Sequence, residues 1–223
     1  MAMVRGSYDR GGWLEPLVPE ELSHVHLFEP GSDSMTLLLL HGTGGDEHDL
    51  LPLGRMLYRS ANLLSPRGKV LEAGMPRFFR RLSMGVFDVE DLKARAADLL
   101  AFVDDAARAY GFDRDRVVVV GYSNGANIAA GMLLSADRPF AWAALLHAMT
   151  PFEPDAPPDL AGIRVLVTGG RRDQMIPAAS TEHLSELLTS SGADVSLHWE
   201  PGGNELTQAE VDAVKEWIRK LAS

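Results

Sequence analysis

Residues 116–130 read Arg-Val-Val-Val-Val-Gly-Tyr-Ser-Asn-Gly-Ala-Asn-Ile-Ala-Ala. Four valines between Arg116 and Gly121 favour a strand buried on both faces. The small residues that follow, through Ala126, Ala129, Ala130 and Leu133, favour a close-packed helix. Between them stands Gly121-Tyr122-Ser123-Asn124-Gly125, a G-x-S-x-G pattern in a strand-turn-helix setting. A serine on so tight a turn needs small residues two positions to either side. The helix N-terminus behind it offers N–H groups and a positive dipole end to a developing oxyanion. The plainer alternative is that Ser123 only caps the helix.

Outward from this turn, strands and helices alternate. Leu22 to Glu29 reads as a first strand, the turn 30–33 follows, and Met35 to Leu40 is a wholly apolar second strand. A helical pattern carries Leu50, Leu53 and Leu57, and Ala61 to Ser65 is a third strand. Pro66 to Asp88 has no clean period and reads as a long loop. Asp91 to Tyr110 is a helix closed by Gly111. Ala143 to Ala148 and Ile163 to Thr168 are buried strands. A helix over Ala179 to Ser190 leads to a strand over Asp194 to Glu200. The last helix starts near Thr207, which has capping-box spacing to Glu210, and bears Val211, Val214, Ile218 and Leu221 as a stripe. This order predicts an α/β architecture: a mostly parallel sheet of about seven strands with helices on both faces, its chemistry at the carboxyl ends of the strands.

Two further segments fall at such ends. His41-Gly42-Thr43-Gly44-Gly45 closes the second strand, and the N–H of Thr43 is expected to pair with that of Asn124 as an oxyanion hole. A P-loop is excluded because its Lys-Ser/Thr is absent, and no G-x-G-x-x-G opens a helix. His41, Asp46 and His48 are metal-capable types, but their spacing matches no standard site, so no metal is expected. His41 reads instead as a buried histidine bonded within its loop. The other histidines, including His147 and His198, have no motif around them. Asp173 follows the strand over 163–168, where a carboxylate can orient an imidazole; the bland reading is a turn aspartate paired with Arg171 or Arg172. Chain order Ser, Asp, His then calls for a histidine between the last strand and the last helix. The residues there are Glu200-Pro201-Gly202-Gly203-Asn204-Glu205-Leu206, with no histidine.

From about Leu37 to the C-terminus the chain resembles the small bacterial carboxylesterases of the phospholipase/carboxylesterase family, relatives of the acyl-protein thioesterases. The resemblance is carried by Leu-His-Gly-Thr-Gly-Gly-Asp (40–46), Ser-Pro-Arg-Gly (65–68), Arg-Phe-Phe-Arg-Arg (77–81), Gly-Tyr-Ser-Asn-Gly-Ala (121–126) and Asp173 with Ile176-Pro177. It implies an α/β-hydrolase fold, with Ser123 as nucleophile, Asp173 as orienting acid and Asn204 in the place of the catalytic histidine. An amide cannot take the serine proton at neutral pH, whereas imidazole titrates there. A His→Asn change in an otherwise ordinary esterase and a naturally degenerate hydrolase both account for this, and the intact remainder of the motif set favours the first. Met75, Phe78, Phe79, Met84, Phe87 and Ile176 are expected to roof an acyl or aryl pocket, or else simply to bury the loop. The resemblance also allows thioester and lysophospholipid substrates, and a non-catalytic binding protein is the rival class.

The 223 residues suit one domain, read as 21–223 behind an N-terminal arm at 1–20, whose first seven residues read as an expression remnant. With 46% hydrophobic and 23% charged residues the composition is that of a globular protein. A net charge of -10 argues against a nucleic-acid partner. The absence of cysteine removes thiolate chemistry and disulfides. No signal-peptide core and no membrane-length apolar run is present, so a cytoplasmic location and no stable membrane insertion are expected. A small-molecule ester is the expected partner, no cofactor is needed, and a homodimer is left open.

Overall fold

The computed structural model describes residues 22–83 and 85–222. The arm expected at 1–20, and Met84 of the expected pocket roof, lie outside the described residues. Eleven strands and five α-helices are present among those described. Seven strands form one sheet: β1 (His26–Glu29), β2 (Thr36–Leu40), β3 (Asn62–Pro66), β8 (Val117–Tyr122), β9 (Trp142–Leu146), β10 (Arg164–Gly170) and β11 (Asp194–Glu200), in the order β1-β3-β2-β8-β9-β10-β11. Every neighbouring pair is parallel except β1 with β3. The chain moves from β2 outward to β3 and later returns to place β8 on the other side of β2. That reversal makes the carboxyl ends of β2 and β8 a natural binding crevice.

The two central strands show why the sequence folds this way. Leu38, Leu40, Val117 and Val119 face one core cluster, while Leu37, Leu39, Val118 and Val120 face the other. The period-2 alternation of a strand thus sends its apolar residues both ways, which only a sheet covered on both faces can bury. The first cluster is closed by α2 (Val89–Tyr110), α3 (Asn124–Ser135) and α4 (Ala178–Ser190), the second by α1 (Leu51–Leu57) and α5 (Gln208–Leu221).

The first strand is shorter than expected, starting at His26, and Val25 is 60% exposed. A larger correction concerns 66–88, which is not a structureless loop. It holds two small hairpins, β4 (Val70–Glu72) with β5 (Met75–Arg77) and β6 (Arg81–Ser83) with β7 (Val86–Phe87). Strands of two or three residues have no readable period, and Leu71, Leu82 and Val86 are exposed rather than alternating with buried partners. No helix among the described residues is long and apolar enough to cross a membrane.

Candidate active site

The turn after β8 takes its shape from its glycines. A Cβ on Gly121 would lie 2.4 Å from the Gly125 carbonyl oxygen, and one on Gly125 would lie 1.9 Å from the Leu40 carbonyl oxygen. Neither position has room for a side chain, because α3 starts directly against β2 and β8. Ser123 between them has φ 51° and ψ -110°, outside the common regions for an L-residue. Its N–H donates to Leu146 O at 2.8 Å and its carbonyl accepts from Asn127 N at 2.9 Å. Its hydroxyl makes no helix cap. The half-buried side chain therefore stands at the helix N-terminus without a capping role.

The loop after β2 packs beside this turn, with Gly42 against the Tyr122 ring and carbonyl. Thr43 is exposed, and its Oγ1 accepts from the buried Arg77 Nη1 at 2.6 Å. Gly44 N donates to Pro76 O at 2.9 Å, tying the loop to β5. Asn124 is buried, and its Oδ1 accepts from Phe78 N at 2.8 Å. Neither the Thr43 N–H nor the Asn124 N–H has a hydrogen-bond partner among the described residues. His41 is fully buried, bonded to Gly42 O at 2.7 Å and accepting from Gly68 N at 3.0 Å. Burial holds its imidazole below the usual range. It is unavailable to the cluster Asp46, Glu47 and His48, of which Glu47 is engaged by Arg67 at 2.6 Å.

Asp173 lies in the turn after β10 with its side chain 2% exposed. Its Oδ1 accepts from Met175 N at 2.7 Å and Ile176 N at 3.0 Å, and its Oδ2 accepts from Asn204 Nδ2 at 2.9 Å. The neighbouring arginines go elsewhere: Arg171 stacks over Trp199 at 4.1 Å and Arg172 Nε donates to Pro201 O at 2.7 Å. The segment bearing Asn204 also meets β10 and the turn after it through backbone, since Gly170 has no space for a Cβ against Gly203 O at 2.0 Å and Arg172 N donates to Gly202 O at 2.9 Å. Tyr122 Oη then donates to Asn204 O at 2.7 Å, linking that segment to the serine turn. Residues 122–123, 173 and 204 are thus gathered at the carboxyl ends of β8, β10 and β11. His198 is spoken for, with Nε2 at 2.8 Å from Glu200 Oε1 within β11.

Of the described residues expected to roof a pocket, only Met75 is exposed, and it overlies Gly44. Phe78 and Phe79 are buried in the core cluster, Phe78 against the His41 ring at 4.6 Å. Phe87 packs edge-on to Phe79 at 4.9 Å, and Ile176 is buried behind Asp173. In this structure Phe78 and Phe79 act as core beneath the loop and not as walls of an opening, because burying them anchors the hairpins. A surface hollow lined by Asp104, Arg114, Arg138, Phe140 and Ile163 sits at the opposite, amino-terminal edge of β9 and β10.

One group in this region was not singled out by the sequence. His147 follows β9, is fully buried, and has φ 56°. Its Nε2 lies 3.2 Å from Glu210 Oε2 and its Nδ1 3.8 Å from Asp173 Oδ2. The usable signal was its place at the end of a buried strand, where this architecture collects its chemistry.

Comparison with known proteins agrees with this fold. The chain is 48% identical over 195 residues to MhqD of Bacillus subtilis (strain 168), named as a hydrolase, covering 87% of this chain and 98% of that protein. The crystal structure of the Bacillus cereus carboxylesterase superposes with a TM-score of 0.86 at 46% identity, covering 91% of this chain and 95% of that one. A carboxylesterase from Mesorhizobium loti superposes with a TM-score of 0.80 at 33% identity, over 85% and 90% of the two chains. The sequence profile of the Phospholipase/Carboxylesterase family matches residues 29–222, and the chain belongs to that family.

Proposed function

We propose that this chain is a serine carboxylic-ester hydrolase whose catalytic base has been replaced by Asn204. The observation that carries the reading is the 2.9 Å hydrogen bond from Asn204 Nδ2 to Asp173 Oδ2. An orienting acid makes that bond to the imidazole of a base, and here an amide makes it. With imidazole at 204, the base takes the proton of Ser123 as its Oγ bonds to the ester carbonyl carbon. The resulting oxyanion is held by the N–H groups of Thr43 and Asn124. Collapse expels the alcohol, which receives the proton from the imidazolium, and leaves an acyl-serine. Water, deprotonated by the same imidazole, attacks the acyl carbon and frees the acid and Ser123.

With Asn204 neither proton transfer has an acceptor. Slow acylation by an activated ester remains, and the acyl-serine it forms lacks the base needed for release. Thioesters and lysophospholipids fall within the same chemistry. The test compares p-nitrophenyl acetate hydrolysis by this chain and by Asn204→His. An increase of between about a thousandfold and a millionfold is expected, abolished again by Ser123→Ala. No increase in the Asn204→His protein, with its fold intact by circular dichroism, would instead mark a ligand-binding protein on a hydrolase scaffold. Mass spectrometry of the unaltered chain after exposure to the activated ester is expected to show a lasting acyl adduct on Ser123.

A further inference from the structure

The two N–H groups that hold the oxyanion in the ester reading belong to different strand ends, Thr43 after β2 and Asn124 after β8. Among the described residues no hydrogen bond joins residues 42–45 directly to residues 123–125. What joins them is the end of β5 and the residue after it. Pro76 O accepts from Gly44 N at 2.9 Å, Arg77 Nη1 donates to Thr43 Oγ1 at 2.6 Å, and Phe78 N donates to Asn124 Oδ1 at 2.8 Å. The Phe78 ring adds a contact to the His41 ring at 4.6 Å. Three consecutive residues, to which the ester chemistry gives no task, thus touch both halves of the oxyanion hole.

The Arg77 side chain is 4% exposed, and a cation so buried needs its charge met. Its Nε lies 3.2 Å from Glu72 Oε2 and donates to Phe79 O at 3.3 Å, which serves the hairpin that carries it. Nη1 instead reaches a different loop and holds the hydroxyl of an exposed residue. That loop contains Gly42, Gly44 and Gly45, whose backbones are free to take many shapes unless something fixes them. The main chain of Arg77 is itself seated on the same loop through Gly68. The Gly68 N–H donates to His41 Nε2 at 3.0 Å, and a Cβ on Gly68 would lie 2.3 Å from the Arg77 carbonyl oxygen. Oxyanion donors act by being in place before the charge develops, and a misplacement of about 1 Å costs on the order of a hundredfold in rate.

We propose that Arg77 is a positioning residue for the ester reaction: through the Thr43 hydroxyl it fixes the loop 42–45, and with Pro76 and Phe78 it sets the spacing of the two oxyanion donors. This rests on the reading of the Thr43 and Asn124 N–H groups as the oxyanion hole of an esterase, and two measurements keep the ideas apart. The first needs no activity. Amide hydrogen exchange, resolved by NMR, is compared between the unaltered chain, Arg77→Met and Thr43→Val. The Thr43 variant breaks the same bond from its exposed end, where folding is not at stake. In both variants the Gly44 amide is expected to exchange about tenfold faster, while the amides of Val118, Val119 and Val120 in β8 hold their rates. The second measurement uses the Asn204→His protein, whose gain over the unaltered chain by itself decides the esterase reading. There either substitution is expected to lower kcat for p-nitrophenyl acetate by between about tenfold and a hundredfold at nearly unchanged KM, and the pair to lower it no further than the worse of the two. A guanidinium serving only the fold would speed both sets of amides alike and leave the kcat of the folded protein in place. Unchanged Gly44 exchange in folded Arg77→Met, or losses in kcat that multiply in the double variant, overturns the proposal. No gain from Asn204→His would instead remove the esterase reading and the catalytic purpose of the brace, while Gly44 exchange would still show whether Arg77 anchors the loop.

Discussion

At Ser123 the backbone carries as much information as the side chain. A φ of 51° on a non-glycine residue is sustained only because the surrounding contacts allow nothing else, and Gly121 and Gly125 are the residues that permit those contacts. Gly125→Ala would drive a methyl into the Leu40 carbonyl, so a loss of more than about 3 kcal/mol is expected by urea denaturation. Tyr122→Phe removes the hydroxyl that pins the carbonyl of residue 204. In the Asn204→His background it is expected to lower kcat about tenfold at nearly unchanged KM, at a stability cost of about 1 kcal/mol. The G-x-S-x-G turn and Asp173 could be picked out as candidates from the sequence because chain order and local chemistry mark them, and Asn204 because the family resemblance puts it in the histidine's place. Tyr122 and His147 could not, because their partners lie 82 and 63 residues away and depend on which strand ends become neighbours.

Among the elements, the long helices were legible because apolar periodicity and capping act locally. Helix α2 begins at Val89, two residues before Asp91, since Asp88 supplies the cap: its Oδ1 accepts from Asp91 N at 3.1 Å, and Gly111 ends the helix at φ 71°. Asp88→Ala is expected to cost about 1 kcal/mol, read as a lower melting temperature. The capping box of α5 is only half formed. Thr207 Oγ1 does accept from Glu210 N at 3.1 Å, but the Glu210 carboxylate turns inward to Thr168 and His147 instead of returning to the Thr207 N–H. A local spacing rule could not foresee a buried partner on another element. The hairpins over 70–87 escaped for a different reason, because they are too short to show a period and Leu71, Leu82 and Val86 face outward.

Over the whole molecule, stability follows the two clusters on either side of the sheet, and the edge near β1 adds a pH dependence. His24 is 6% exposed with its ring 4.7 Å from that of Phe102, and burial there, reinforced by Lys69, lowers its pKa from 6.5 to about 3. The unfolded chain takes up this proton below 6.5 and the folded protein refuses it. Stability from this group is therefore fully present above 6.5 and falls as the pH drops toward 3, by roughly 3–5 kcal/mol in all. Urea midpoints at pH 7 and pH 4 are expected to differ less in His24→Asn than in the unaltered chain. The segment carrying residue 204 is held quite otherwise. Gly202, Gly203 and the carbonyls of Pro201 and Asn204 offer main-chain contacts to β10, Arg172 and Tyr122, beside the one bond that the 204 side chain makes to Asp173. Most of its seat thus comes from its own main chain, so a single codon change there can exchange one occupant for another, at the cost of one side-chain bond, while the architecture around it is left as it was.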